Sequence, residues 1–157
     1  GHLLTRNPML VGRALDRVRG LLKPPPPLKT PLGSVGVVAQ PYLLEEESFR
    51  RAVEEALARE GLTPYFPDLP PERLREEGDR FLPMDLPTDR ELVGMVHYLH
   101  RLGRVKGLLL VVSYACPPIP GILRKAVRRL AKPHRLVTLG EDWQEALRSL
   151  KEEMQGG

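Results

Sequence analysis

Apolar residues follow two rhythms along this chain. Residues 8–22, PMLVGRALDRVRGLL, place Leu10, Val11, Ala14, Leu15, Val18, Leu21 and Leu22 at helical spacing. The Val-rich run SVGVVA, 34–39, reads instead as a short buried strand. A helix is predicted over 45–60, with Phe49, Ala52, Val53, Ala56 and Leu57 on one face and Gly61 as its stop. LTPYF, 62–66, reads as a second strand. Pro64 removes a ladder donor there, so this strand belongs at a sheet edge. The polar stretch after it predicts a long connection with a helical turn near 71–77.

Thr88 and Glu91 have the T-x-x-E spacing of a capping box. The helix they predict carries Leu92, Met95, Val96, Leu99 and Leu102 on one side and ends near Gly103. KGLLLVVSY, 106–114, is apolar on both faces, as a central parallel strand must be. A basic helix over 120–131 and a fourth strand, HRLVTL at 134–139, come next. Asp142 and Glu145 repeat the capping spacing before a last helix whose inner face holds Trp143, Ala146, Leu147, Leu150 and Met154.

Strands alternating with helices demand right-handed crossovers and a parallel sheet. The predicted fold is α/β: a Rossmann-like three-layer domain with a four-stranded parallel sheet in order 2-1-3-4 and an N-terminal helical extension. Residues 1–23 make the extension, in which the opening Gly1-His2 reads as a tag remnant. Residues 24–33 form a proline-rich linker, since Pro24 to Pro27 favour a stiff polyproline II spacer. Residues 34–157 make the Rossmann-like domain.

Composition narrows the classes. A chain of 157 residues can bury one core. No apolar run is long enough to predict a membrane span. Cys116 is the single cysteine, which excludes an internal disulfide and fits a reducing cytoplasm. Arginine dominates lysine and Asn7 is the only asparagine, a usage that suggests a thermophilic source. The net charge is +4. It is unevenly spread: residues 104–139 carry eight Lys or Arg and no acid, so a basic face near the strand tips could meet an anion. Nucleic acid is not the expected partner, because Tyr42, Tyr65, Tyr98 and Tyr114 are scattered among the basic residues without forming a stacking platform.

In open α/β sheets, ligands sit beyond the carboxyl ends of strands that flank the switch point. Those ends are AQPY, 39–42, and SYACPP, 113–118. Gln40, Tyr42, Tyr114 and Cys116 are therefore the candidate site residues, with Arg124 as a partner for a small anion at the start of the basic helix. A lone buried cysteine is as readily a small core residue; a following helix N-terminus and nearby Arg124 and Lys125 would favour a thiolate. His97 and His100 lie three apart on a helix but have no matching cysteine or carboxylate pair, and they read as surface or interface histidines. No glycines lie between the first strand and the helix after it, so neither a dinucleotide fingerprint nor a P-loop is present.

The segments SVGVVAQPYLLEEE, DLPTDRELVGMVHYLHR and GLLLVVSYACPPIPGILRK together resemble the later α/β lobe of 2-hydroxyacyl-CoA dehydratase subunits and of related activase-associated proteins. The resemblance covers about residues 33–140. It aligns Cys116 with the cysteine of the family's F-x-C-G-P-D strand end, with Pro117 in place of the glycine and Ile119 in place of the acid. It implies Cys116 as a metal ligand and a [4Fe-4S] cluster shared with another lobe or chain. It also implies an ATP-dependent activase or another protein lobe as partner. An isolated chain with one thiolate is expected to hold no cluster and to be inactive alone. Two classes stay open: a lobe or degenerate relative of such an iron–sulfur protein, and a non-catalytic Rossmann-like domain that binds a small anionic ligand or a protein partner.

Overall fold

The computed structural model describes residues 33–113 and 118–156. The N-terminal helix predicted at 8–22 and the proline linker lie outside the described residues. Four strands form one parallel sheet in the order β2-β1-β3-β4: β1 Ser34–Val38, β2 Thr63–Tyr65, β3 Val105–Val112 and β4 His134–Thr138. The helices are α1 Pro41–Glu45, α2 Glu47–Arg59, α3 Pro71–Phe81, α4 Pro87–Arg101, α5 Pro118–Val127 and α6 Gln144–Gly156. The predicted fold class and strand order are both observed.

The order follows from the sequence. β3 is the longest strand, and Leu108, Leu109 and Leu110 are wholly buried on its two faces. Such a strand must lie inside the sheet with helices on both sides. β2 has three residues and pairs with β1 alone, setting Val35 opposite Pro64. Two glycines show where the helical layers sit. A Cβ on Gly36 of β1 would press on Leu99 of α4. One on Gly107 of β3 would press on Leu150 and Met154 of α6, on the opposite face. Gly61 closes α2 as predicted. Its φ is +71°, and Gly61 N–H bonds Ala58 O while Leu62 N–H bonds Leu57 O, the paired bonds of a Schellman stop.

The helix predicted over 45–60 is observed as α2, Glu47–Arg59. A short helix that was not predicted, α1, precedes it and ends where Glu46 is extended, with φ −79° and ψ 120°. Pro41 starts α1, since its missing N–H is no loss in a first turn. Three other expectations need correction. The polar connection contains a full helix, α3. It escapes an apolar-period reading because its buried residues are only Leu74 and Gly78. The capping box is absent. Pro87 opens α4, Leu86 is the N-cap, and no side chain caps it. Glu91 turns instead to Arg75, at 2.8 Å. The basic helix, predicted over 120–131, spans Pro118–Val127. At α6 the observed bond is a local one, in which Asp142 Oδ1 accepts the Gln144 N–H at 3.0 Å two residues on, at the helix start.

α3 and α4 meet backbone to backbone. A Cβ on Gly94 would lie 1.8 Å from Leu74 O, and one on Gly78 would lie 2.1 Å from Arg90 O. No rotamer relieves a clash between Cβ and a backbone carbonyl, so the helices would have to separate. Gly94→Ala and Gly78→Ala are each expected to destabilise the fold by roughly 2–4 kcal/mol, as overpacking in a rigid contact does. Gly121→Ala on α5 meets no atom within 4 Å. It should gain about 0.5–1 kcal/mol of helix propensity. Urea unfolding midpoints of the three variants check this; a Gly94→Ala midpoint equal to that of the unmodified chain would refute the close crossing.

Candidate functional site

The carboxyl ends of β1 and β3 leave the sheet side by side. Val38 of β1 pairs with Leu110 of β3, and β3 runs two residues further, to Val112. Leu139, just past β4, donates its N–H to Val112 O at 2.8 Å. Three strands therefore release their chains at one edge.

At that edge Gln40 is half-buried, and its carbonyl accepts the N–H groups of Leu43 and Leu44 to start α1. Tyr42 follows on α1 and is 52% exposed. Tyr114 and Cys116 lie outside the described residues, so their predicted juxtaposition with Gln40 and Tyr42 lies there too. The residue before them, Ser113, has a buried hydroxyl with no hydrogen-bond partner among the described residues. A buried hydroxyl without a partner is costly. Sequence reading passed over Ser113, since a serine beside a strand end carries no pattern of its own. Arg124 is exposed in the last turn of α5, not at its N-terminus. At about 1.5 Å per residue, that leaves it roughly 9 Å along the axis from the helix start, where a basic residue complements the carbonyl end.

The same edge carries a cleft of about 460 Å³ that no sequence pattern announced. It opens beyond β1 and β2, between α1 with the start of α2 on one side and α3 with α4 on the other. Leu44, Leu69, Leu74 and Met95 line it, together with Arg50 and Glu91. Glu91 is 9% exposed and is the one buried charged residue among those described. Its Oε1 accepts from Arg75 Nη1 at 2.8 Å, which neutralises the charge where water is scarce. Arg50 Nε donates to Leu44 O at 2.5 Å, and its guanidinium lies 4.8 Å from the centre of the Phe66 ring.

A second polar cluster joins α3 to α4. Glu77 Oε2 accepts from His97 Nδ1 at 2.8 Å, and its other oxygen accepts from Arg101. The His97 ring stacks on Phe81, with centroids 4.8 Å apart. His97 is therefore a helix-pairing residue, not a surface one. Burial alone would raise the Glu77 pKa; the His97 hydrogen bond and the Arg101 guanidinium outweigh it and hold the carboxyl below the usual range. His100 lies nearby, half-buried, with Nδ1 unpartnered among the described residues. Burial, then the charges of Lys132 and His97, push it below an ordinary histidine. Lys132 Nζ donates to Leu102 O at 2.7 Å and Leu99 O at 3.3 Å, capping the end of α4. Among the described residues no three His, Cys, Asp or Glu side chains converge as a metal site. No described helix is long and apolar enough to cross a membrane.

Comparison of the chain with protein families, with curated proteins and with solved structures gives no match in any of the three.

The Glu77 cluster makes a pH prediction. A carboxyl whose folded pKa is lowered adds stability above its unfolded value, about 4.3. That stability is lost as pH falls through the lower folded value. Glu77→Gln should therefore cost about 1–3 kcal/mol near neutrality, as loss of charge-assisted bonds at a largely buried site does. The gap between the variant and the unmodified chain should close as the solution is acidified below about pH 4. Urea midpoints between pH 3 and 7 measure both; a gap independent of pH would show that Glu77 contributes only by shape.

Proposed function

We propose that the chain works at the carboxyl edge of its sheet as a lobe, or degenerate relative, of an iron–sulfur protein similar to the 2-hydroxyacyl-CoA dehydratases. It is inactive alone. The observation that carries this reading is the parallel pairing of Val38 with Leu110. It puts the ends of β1 and β3, followed in sequence by AQPY and SYACPP, side by side at the edge where α/β sheets bind ligands. The unpartnered Ser113 hydroxyl adds a polar group at that edge.

The chain's own donors do not fit a complete cluster. A cubane takes about four ligands, and Cys116 is the only cysteine of the sequence. The remaining ligands have to come from another lobe or chain, and an ATP-dependent activase is the partner implied for electron delivery. The role left to this chain is to supply one thiolate, Cys116, and to shape one wall of the site.

A second reading is a non-catalytic α/β domain that binds a small ligand or a protein. The cleft beside β1 and β2 favours it, because a site of that size needs no cluster.

Anaerobic reconstitution with iron and sulfide separates the two. For the chain alone we expect no 2-hydroxyacyl-CoA turnover with activase and reductant. With the missing lobe supplied, we expect a broad absorption band near about 400 nm that is lost in Cys116→Ala. Turnover by the isolated chain would overturn the proposal, and so would a band that survives in Cys116→Ala.

A further inference from the structure

The cleft beside β1 holds an arginine whose geometry is set before any ligand arrives. Arg50 Nε is committed to Leu44 O, and the face of its guanidinium is held by Phe66. Those two contacts fix the plane of the group and leave its terminal nitrogens as the remaining donors. Among the described residues no carboxylate forms an ion pair with Arg50. Two of the acids lining the same cleft already have arginines of their own: Glu47 pairs with Arg51 at 2.8 Å, and Glu91 pairs with Arg75 at 2.8 Å. An oriented guanidinium with two parallel donors matches a carboxylate better than any other small anion-bearing group. Beyond it the wall is apolar, made by Leu44, Leu69, Leu74 and Met95. The volume, about 460 Å³, lies in the range of small-molecule sites.

Charge in the lining sets a further limit. Glu45 and Glu47 both line the cleft. A ligand with several negative charges would meet their repulsion, whereas a single carboxylate is neutralised by Arg50. We propose that this cleft binds a small monocarboxylate with an apolar tail, its head forked by Arg50 and its tail laid over Leu44, Leu69, Leu74 and Met95. The inference goes beyond the iron–sulfur reading and holds whether or not Cys116 ligates a cluster.

The test is a methyl-labelled NMR titration of the 157-residue protein. The probes are hexanoate, hexan-1-ol and hexylamine, which share a tail and differ in the head. Hexanoate is expected to shift the Leu44, Leu69, Leu74 and Met95 methyl signals saturably, with a dissociation constant of roughly millimolar or tighter. The alcohol and the amine should bind roughly tenfold more weakly, and Arg50→Gln should bring hexanoate down to the level of the alcohol. Leu69→Trp fills the cleft without touching Arg50 and should remove binding of all three; it decides the matter if Arg50→Gln fails to fold. Cys116→Ala should leave hexanoate binding unchanged, so failure here is separate from failure of the cluster reading. No saturable shift of those methyls up to about 10 mM hexanoate would overturn the proposal. Hexylamine binding as tightly as hexanoate, or unchanged hexanoate binding in a folded Arg50→Gln or Leu69→Trp protein, would overturn it equally.

Discussion

The crossing of α3 and α4 is the constraint on which the carboxyl edge depends. Gly94 and Gly78 let the two helix backbones touch, with Leu74 O and Arg90 O occupying the space a side chain would need. α3 could not reach that position by apolar packing alone, since it buries little besides Leu74. Once the crossing is made, polar bonds at its flanks lock the pair. Glu77 reaches His97 and Arg101, Asp79 takes a bidentate grip from Arg90, and Arg75 reaches Glu91. The same pair supplies one wall of the cleft through Leu74, Glu91 and Met95. Anything that spreads the helices would therefore widen the cleft and expose the Glu91 ion pair to water.

The sheet does a different job. Its parallel order brings three chain exits to one edge, and its buried middle strand fixes where they emerge. β3 outruns β1 by two residues, so the segment after Val112 starts above the turn formed by Gln40 and Pro41. Pro41 holds the first exit, since its ring locks φ where α1 begins.

Strands and their order were legible because burial on both faces leaves a continuous apolar run, as in residues 106–112, and because Pro64 marks an edge. α3 was not legible, since its main contact is glycine against backbone and leaves no stripe of apolar side chains. The T-x-x-E pattern at Thr88 misled for a local reason: Pro87 already occupies the first helical position, and the carboxylate of Glu91 gains more from the arginine across the crossing than from a helix end. The Glu77–His97 pair spans 20 residues and joins two helices, a relation that spacing within one helix cannot reveal. Of the candidate site residues, Gln40 and Tyr42 do follow the carboxyl end of β1, where the βα alternation put them. Arg50 and the cleft were missed because a helical arginine looks like any solvated charge until Phe66 and Leu44 O are seen to hold it.

The two outer margins of the sheet are unlike each other. On one side β2 offers three residues with a proline in the middle. On the other, β4 runs for five residues without a proline, from His134 to Thr138. A strand arriving from another chain would find too few donors on the first margin to propagate a ladder. Polymerisation by edge-to-edge stacking needs two receptive margins per molecule, one to give and one to take. A molecule with one blunted margin can end a stack but cannot extend it, so the proline that makes β2 a poor strand also works against fibre growth.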